Sequence, residues 1–110
     1  MREIDITSSY KKCLKLVLKQ GWDIDAVQSV VTQLLRDDIL DPNLRDHALA
    51  GEFKGFRECH IYGDLVIIYK RNKDILSLYK IGRHQDLFKN YWNSNVWRAV
   101  LAFWDHLSYP

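Results

Sequence analysis

No stretch of about 18 uncharged apolar residues occurs in the chain, so no membrane-spanning helix is expected and no membrane partner. The first residues lack the apolar run of a signal peptide, which favours the cytoplasm. Cysteine is scarce: Cys13 and Cys59 lack metal-type spacing and read as reduced core thiols. There is no glycine-rich phosphate loop, which removes support for nucleotide hydrolysis, and no serine sits in a nucleophile-elbow pattern. The histidines form no HxH or HxxxH pair, so neither a metal site nor a cofactor is expected.

What is present is enough for one folded domain: 110 residues, 47% of them hydrophobic. Net charge is only +2, but unevenly spread. Residues 44–90 hold nine Lys and Arg against six Asp and Glu, and the remainder seven against eight. That bias permits an anionic partner without requiring one.

Glu3 to Thr7 alternates acidic and apolar residues, as a strand with one wet face does, at a sheet edge. Thr7, Ser8 and Ser9 offer helix caps. Tyr10, Cys13, Leu14, Val17 and Leu18 then form an apolar helical stripe, and Gly21 is a natural stop. Asp23 caps a second helix with the stripe Ile24, Val27, Val31, Leu34 and Leu35, making a helical hairpin over 9–20 and 24–36. Asp41-Pro42-Asn43 breaks this pattern. A loop through His47 leads to strands at 53–61, 65–70 and 75–81, joined by short turns. The middle strand is apolar at five consecutive positions, so it should be covered on both faces. The expected architecture is α+β: a helical hairpin packed on an antiparallel sheet. Residues 89–110 differ in kind. They hold three of the four tryptophans, and Trp97, Val100, Leu101 and Trp104 share a helical face. This aromatic extension either packs on the domain or binds a partner, and its role is open.

The chemistry concentrates between His47 and Phe88. Three of the four histidines lie there, His47, His60 and His84, with Asp64, Arg57, Lys80 and Arg83. RNA cleavage needs only such groups. A base deprotonates the 2′-hydroxyl, cations stabilise the crowded phosphate, and an acid protonates the departing 5′-oxygen. Imidazole serves either proton-transfer role near neutrality, and Lys or Arg carries the charge.

The order of these residues is more telling than their inventory. Asp46-His-Ala-Leu-Ala-Gly51, Phe53-Lys-Gly-Phe-Arg-Glu-Cys-His60, Asp64 and Gly82-Arg-His-Gln-Asp-Leu-Phe88 resemble the YafQ-type toxins of the RelE superfamily. Those are ribonucleases of bacterial type II toxin–antitoxin systems. The resemblance covers residues 1–88 and leaves out 89–110. It implies a RelE-like fold and metal-independent cleavage of mRNA on the ribosome. It also implies a cognate antitoxin, with operator DNA bound only through the antitoxin complex. The positions that correspond to the family's functional residues are His84 as the main proton-transfer group, with His47 and His60 assisting or positioning the phosphate. Asp64 would orient a histidine or contact a base, and Phe88 would hold a nucleotide. Lys80 replaces a family arginine, so it keeps charge but loses the bidentate fork, and Arg83 is placed to compensate. Leu65 stands where many members have tryptophan. Arg57 reads equally as a structural ion pair or a phosphate contact. The competing reading is a catalytically weak homologue that binds antitoxin and regulates its operon.

Overall fold

The computed structural model describes residues 1–88; the expectations placed on residues 89–110 lie outside them. The chain runs β1 (Glu3–Ile6), α1 (Ser8–Lys19), α2 (Ile24–Arg36), a 3₁₀ turn (Pro42–Leu44), β2 (His47–Ala48), a second 3₁₀ turn (Gly51–Phe53), β3 (Arg57–Tyr62), β4 (Leu65–Arg71), β5 (Ile75–Arg83) and α3 (His84–Phe88). The strands form one sheet in the order β1-β5-β4-β3-β2.

Both long helices begin where the sequence placed their caps. The Thr7 side chain accepts from the Tyr10 N–H, and Asp23 accepts from the Asp25 N–H, each satisfying a donor the helix cannot. Gly21 takes φ +86° after α1, a conformation that costs glycine little. Tyr10 and Val17 of α1, with Val27, Val30 and Leu34 of α2, are buried against one sheet face, meeting Cys59, Leu65, Ile67, Tyr69, Leu76, Leu78 and Ile81. Leu18, expected in the α1 stripe, is 45% exposed, so the stripe is buried only as far as Val17. Both cysteines are free thiols, and burial raises the pKa of Cys59.

Leu65 to Tyr69 are each fully buried, as five consecutive apolar residues on a central strand require. Each Leu, Ile or Val there contributes about 1.5–3 kcal/mol of burial. Alternation sends Leu65, Ile67 and Tyr69 toward the helices. Ile68 points the other way, into a smaller cluster with Leu49 and Phe53, bordered by Phe56, Tyr79 and Leu87.

The meander β3–β4–β5 is antiparallel, but the sheet is mixed because β1 pairs in parallel with Ile75–Leu78. No hairpin joins β1 to β5; the whole intervening chain does, so no turn fixes their relative direction. The expected strand from Phe53 begins instead at Arg57. Gly51 and Gly55, at φ +67° and +94°, turn the chain so that Phe53 plugs the smaller cluster. Two bulges follow from the pairing: Ile61 is extra opposite β4, and Tyr79 is extra opposite Ile68 and Tyr69.

Candidate active site

Paired residues on neighbouring strands share a sheet face. His47 pairs with Glu58, Glu58 with Ile68, and Ile68 with Lys80. The next row is His60, Val66 and Gly82. These rows lie on the face away from the helical hairpin, so the helices carry the core and leave this face for chemistry.

His47 sits on the two-residue strand β2, 5% exposed. Its Nδ1 donates to the Arg45 carbonyl at 2.8 Å, which fixes the ring. Arg45 itself adopts the left-handed conformation (φ 51°), ending the 3₁₀ turn and swinging the chain into β2. The neighbouring Asp46 is clamped by Arg57, with Nη2–Oδ2 at 2.6 Å and Nε 3.0 Å from both carboxylate oxygens. The Tyr69 hydroxyl donates to the same carboxylate. Of its two readings, Arg57 makes the ion pair here, and that pair ties the His47 loop to β3.

His60 is half-buried on β3 beside the Ile61 bulge, which re-aims the strand end. His84 opens α3, 6% exposed, and its backbone N–H donates to the Asp64 carbonyl at 2.9 Å. The link from Asp64 to a histidine is therefore made by the main chain of the β3–β4 turn. Gly82 lets α3 fold back. A Cβ there would come 3.2 Å from Leu87 Cδ2, so the Leu87 side chain would have to give by a few tenths of an ångström.

The three imidazoles interact electrostatically. Burial lowers the His84 pKa to about 4, and the charges His47 and His60 would carry lower it further. His60 is lowered by burial, by Arg45 and by His47. His47 is lowered chiefly by burial. Lys80 and Arg83, the cations nearest His84 in sequence, are not among the causes. Arg83 is bound by Asp86, with contacts of 2.9 and 3.2 Å, and Lys80 donates to the Ser9 hydroxyl at 3.1 Å. Lys80 is the one of the three expected phosphate cations without a carboxylate partner among the described residues. Phe88 closes α3.

Glu58 is the site residue the sequence reading left unassigned. It is fully buried, its Oε1 lies 3.5 Å from His47 Nε2, and burial pushes its pKa up to about 8. The signal was its place two residues before His60 on a strand, which puts both side chains on one face. Among the described residues, no group of three or more His, Cys, Asp or Glu is arranged to hold a metal ion.

A helical hairpin behind a sheet, with imidazoles and a buried carboxyl on the open face, defines a small α+β protein with a cluster of titratable groups. Residues 2–89 match the family described as bacterial toxin of type II toxin–antitoxin system, YafQ, and the chain belongs to that family. The mRNA interferase toxin YafQ of Escherichia coli is 32% identical over 88 residues, covering 79% of this chain and 96% of that protein. A Haemophilus influenzae protein carrying the YafQ name is 64% identical over 66 residues, 60% of each chain. Among solved structures, a mutant of E. coli YafQ superposes with a TM-score of 0.74 at 30% identity, over 80% of this chain and 99% of that one. YafQ in the E. coli DinJ–YafQ toxin–antitoxin complex gives 0.72 at 32%, over 79% and 97%. A metal-bound toxin from Helicobacter pylori gives 0.71 at 36%, over 80% and 100%.

Proposed function

We propose that this chain is an endoribonuclease that cleaves mRNA on the ribosome, restrained in the cytoplasm by a cognate antitoxin. The observation that carries the reading is the convergence of His47, His60 and His84 beside buried Glu58, with all three imidazole pKa values lowered. A neutral imidazole at pH 7 is ready to accept a proton, and His84 takes it from the 2′-hydroxyl. The 2′-oxygen attacks the adjacent phosphorus, the bond to the 5′-oxygen breaks, and that oxygen leaves with a proton. Glu58 still holds a proton at pH 7 and faces His47, so this pair and His60 are the proton source and position the phosphate. Lys80, whose strand position is on the same row, supplies positive charge once its Nζ exchanges the Ser9 hydroxyl for the phosphate. No step requires a metal.

DinJ bound to YafQ supplies the precedent for an antitoxin. Here the partner covers or distorts the surface around His60 and His84, and the pair binds operator DNA through the antitoxin. One observation favours the alternative of a weak enzyme that mainly binds antitoxin: Arg57 and Arg83 are both neutralised by carboxylates.

Primer-extension mapping of mRNA, with and without ribosomes, tests the reading. Cuts that appear with ribosomes, together with growth arrest on expression, support it. Absence of cuts with growth unimpaired overturns it.

A further inference from the structure

Below the histidine rows, on the same sheet face, four side chains form a ladder. The Phe56 and Tyr79 rings stack with centroids 4.6 Å apart and 28° between planes. Lys70 Nζ lies 4.2 Å over the Phe56 centroid, and Lys80 Nζ lies 5.2 Å from the Tyr79 centroid. Two ammonium groups are thus held at opposite ends of a rigid aromatic spacer, each steadied by a ring face. The arrangement is built in three ways. Tyr79 is the extra residue of the β5 bulge, which turns its ring to Phe56. Gly55 turns the chain at φ +94° and leaves the Lys70 stem alongside it, Cε being 3.7 Å, an ordinary contact, from where a Cβ would be. Ser77, the strand partner of Lys70, is too small to cover it.

Beside the ladder opens a cleft of about 350 Å³ whose lining includes Gly55, Lys70 and Ser77. Arg57 and Arg71 also border it but are spent, the first on Asp46 and the second on the Leu34 and Asp37 carbonyls. Lys70 is exposed and is the cation that this cleft presents to a ligand. Lys80 stands on the same transverse row as Glu58, so the ladder starts at the candidate active site and runs away from it.

We propose that the far end of this ladder, Lys70 over the Phe56 ring, is a second contact for single-stranded RNA, holding a backbone phosphate of the mRNA segment that flanks the cut, while Lys80 serves the site itself. The inference rests on the ribonuclease reading. Charge complementarity supports it, since lysines bind phosphate as point charges, as does continuity with the histidine face. Pre-ordered ammonium groups also lose less side-chain entropy on binding.

The test uses the full chain with His84→Gln to silence cleavage, and labelled RNA oligonucleotides followed by fluorescence anisotropy. One oligonucleotide spans only the cleavage step; another is extended on both sides. Lys70→Ala is expected to weaken the extended strand about tenfold and to flatten its log-affinity against log-salt slope by about 0.7, the loss of one phosphate contact. The short strand should bind unchanged, and Lys70→Arg should restore the extended one. Equal weakening of both strands, or of neither, overturns the proposal. So does a loss seen only with ribosomes lacking mRNA, which would assign Lys70 to ribosomal RNA, or only with the antitoxin, which would make the ladder a protein-docking face. Failure of the ribonuclease reading is separate: the parent protein with His84 intact would then cut no mRNA.

Discussion

His47 and Glu58 face each other across the β2–β3 pair, with Nε2 3.5 Å from Oε1 and only 5% and 0% of their side chains exposed. The distance suits an ion pair, but burial works against both charges, raising the carboxyl to about 8 and lowering the imidazole. We take the pair as neutral at pH 7, because taking two charges out of water costs more than one long contact returns. His47 Nδ1–H is committed to the Arg45 carbonyl, so Nε2 presents its lone pair to the protonated carboxyl.

That assignment fixes a pH dependence of stability. Between about 4.5 and 8 the folded protein keeps a proton on Glu58 that the unfolded chain has released. Stability therefore falls as pH rises through this window, and the penalty is complete above about 8. Glu58→Gln removes the titration while keeping shape and a donor. At pH 9 it should be more stable than the parent by about 1 kcal/mol, a rise of roughly 4–8 °C in Tm. Thermal melts at pH 5 and pH 9 check this; a gain equal at both pH values refutes the neutral pair.

The clamp on the His47 loop is structural, and Arg57→Ala should show it. Three hydrogen-bond contacts to Asp46 disappear, along with the cation that partners a largely buried carboxylate. A loss of about 1–3 kcal/mol is expected, read from denaturant unfolding. Affinity for short RNA should fall only in step with the loss of folded protein. An RNA defect in fully folded Arg57→Ala would return the residue to phosphate binding.

The fold was legible where one physical rule dominated. Five apolar residues in a row at Leu65–Tyr69 could only be a strand covered twice, and Thr7 and Asp23 marked their helix starts. The parallel direction of β1 was not legible, since no local turn encodes it. The start of β3 was misplaced because Phe53 has the side chain of a strand residue, while the glycines on either side impose a turn. At the candidate site, His47, His60 and His84 were named from residue type, order and the family resemblance, and the sheet carries His47 and His60 on one face with His84 following β5. Glu58 escaped because nothing in a sequence distinguishes a buried glutamate from an exposed one until its strand neighbours are placed. Arg83 was expected to face the phosphate, but Asp86, three residues on, takes its guanidinium.

Cleavage should survive chelation. The proposed route moves protons between imidazole, carboxyl and substrate oxygens, and among the described residues no cluster suited to a metal accompanies them. The assay must hold the magnesium that ribosomes need constant, so the toxin is treated with EDTA and desalted before mixing. Unchanged rates are expected. Stoichiometric zinc or copper in the purified protein, with activity lost on its removal and regained on its return, would overturn the route.

His84 gives the sharpest test. Its backbone is anchored to the β3–β4 turn by the Asp64 carbonyl, its ring is buried, and its pKa is lowered to about 4. A base in that state is neutral from physiological pH down to about pH 4, so the limb of the rate profile that it controls should fall only near pH 4. Its lowered pKa also costs stability below about pH 6.5, where the unfolded chain takes up a proton that the folded ring refuses until about pH 4. His84→Ala should therefore lose cleavage by about 10²–10⁴-fold and at the same time become less sensitive to acid. His84→Gln should be equally inactive, because an amide keeps hydrogen bonding but cannot accept the proton. The variants are compared at matched folding by circular dichroism, with antitoxin binding intact. If folded His84→Ala cleaves ribosome-bound mRNA within about threefold of the parent, far above the residual rate expected after loss of a general base, the role passes to His60 or to the Glu58–His47 pair.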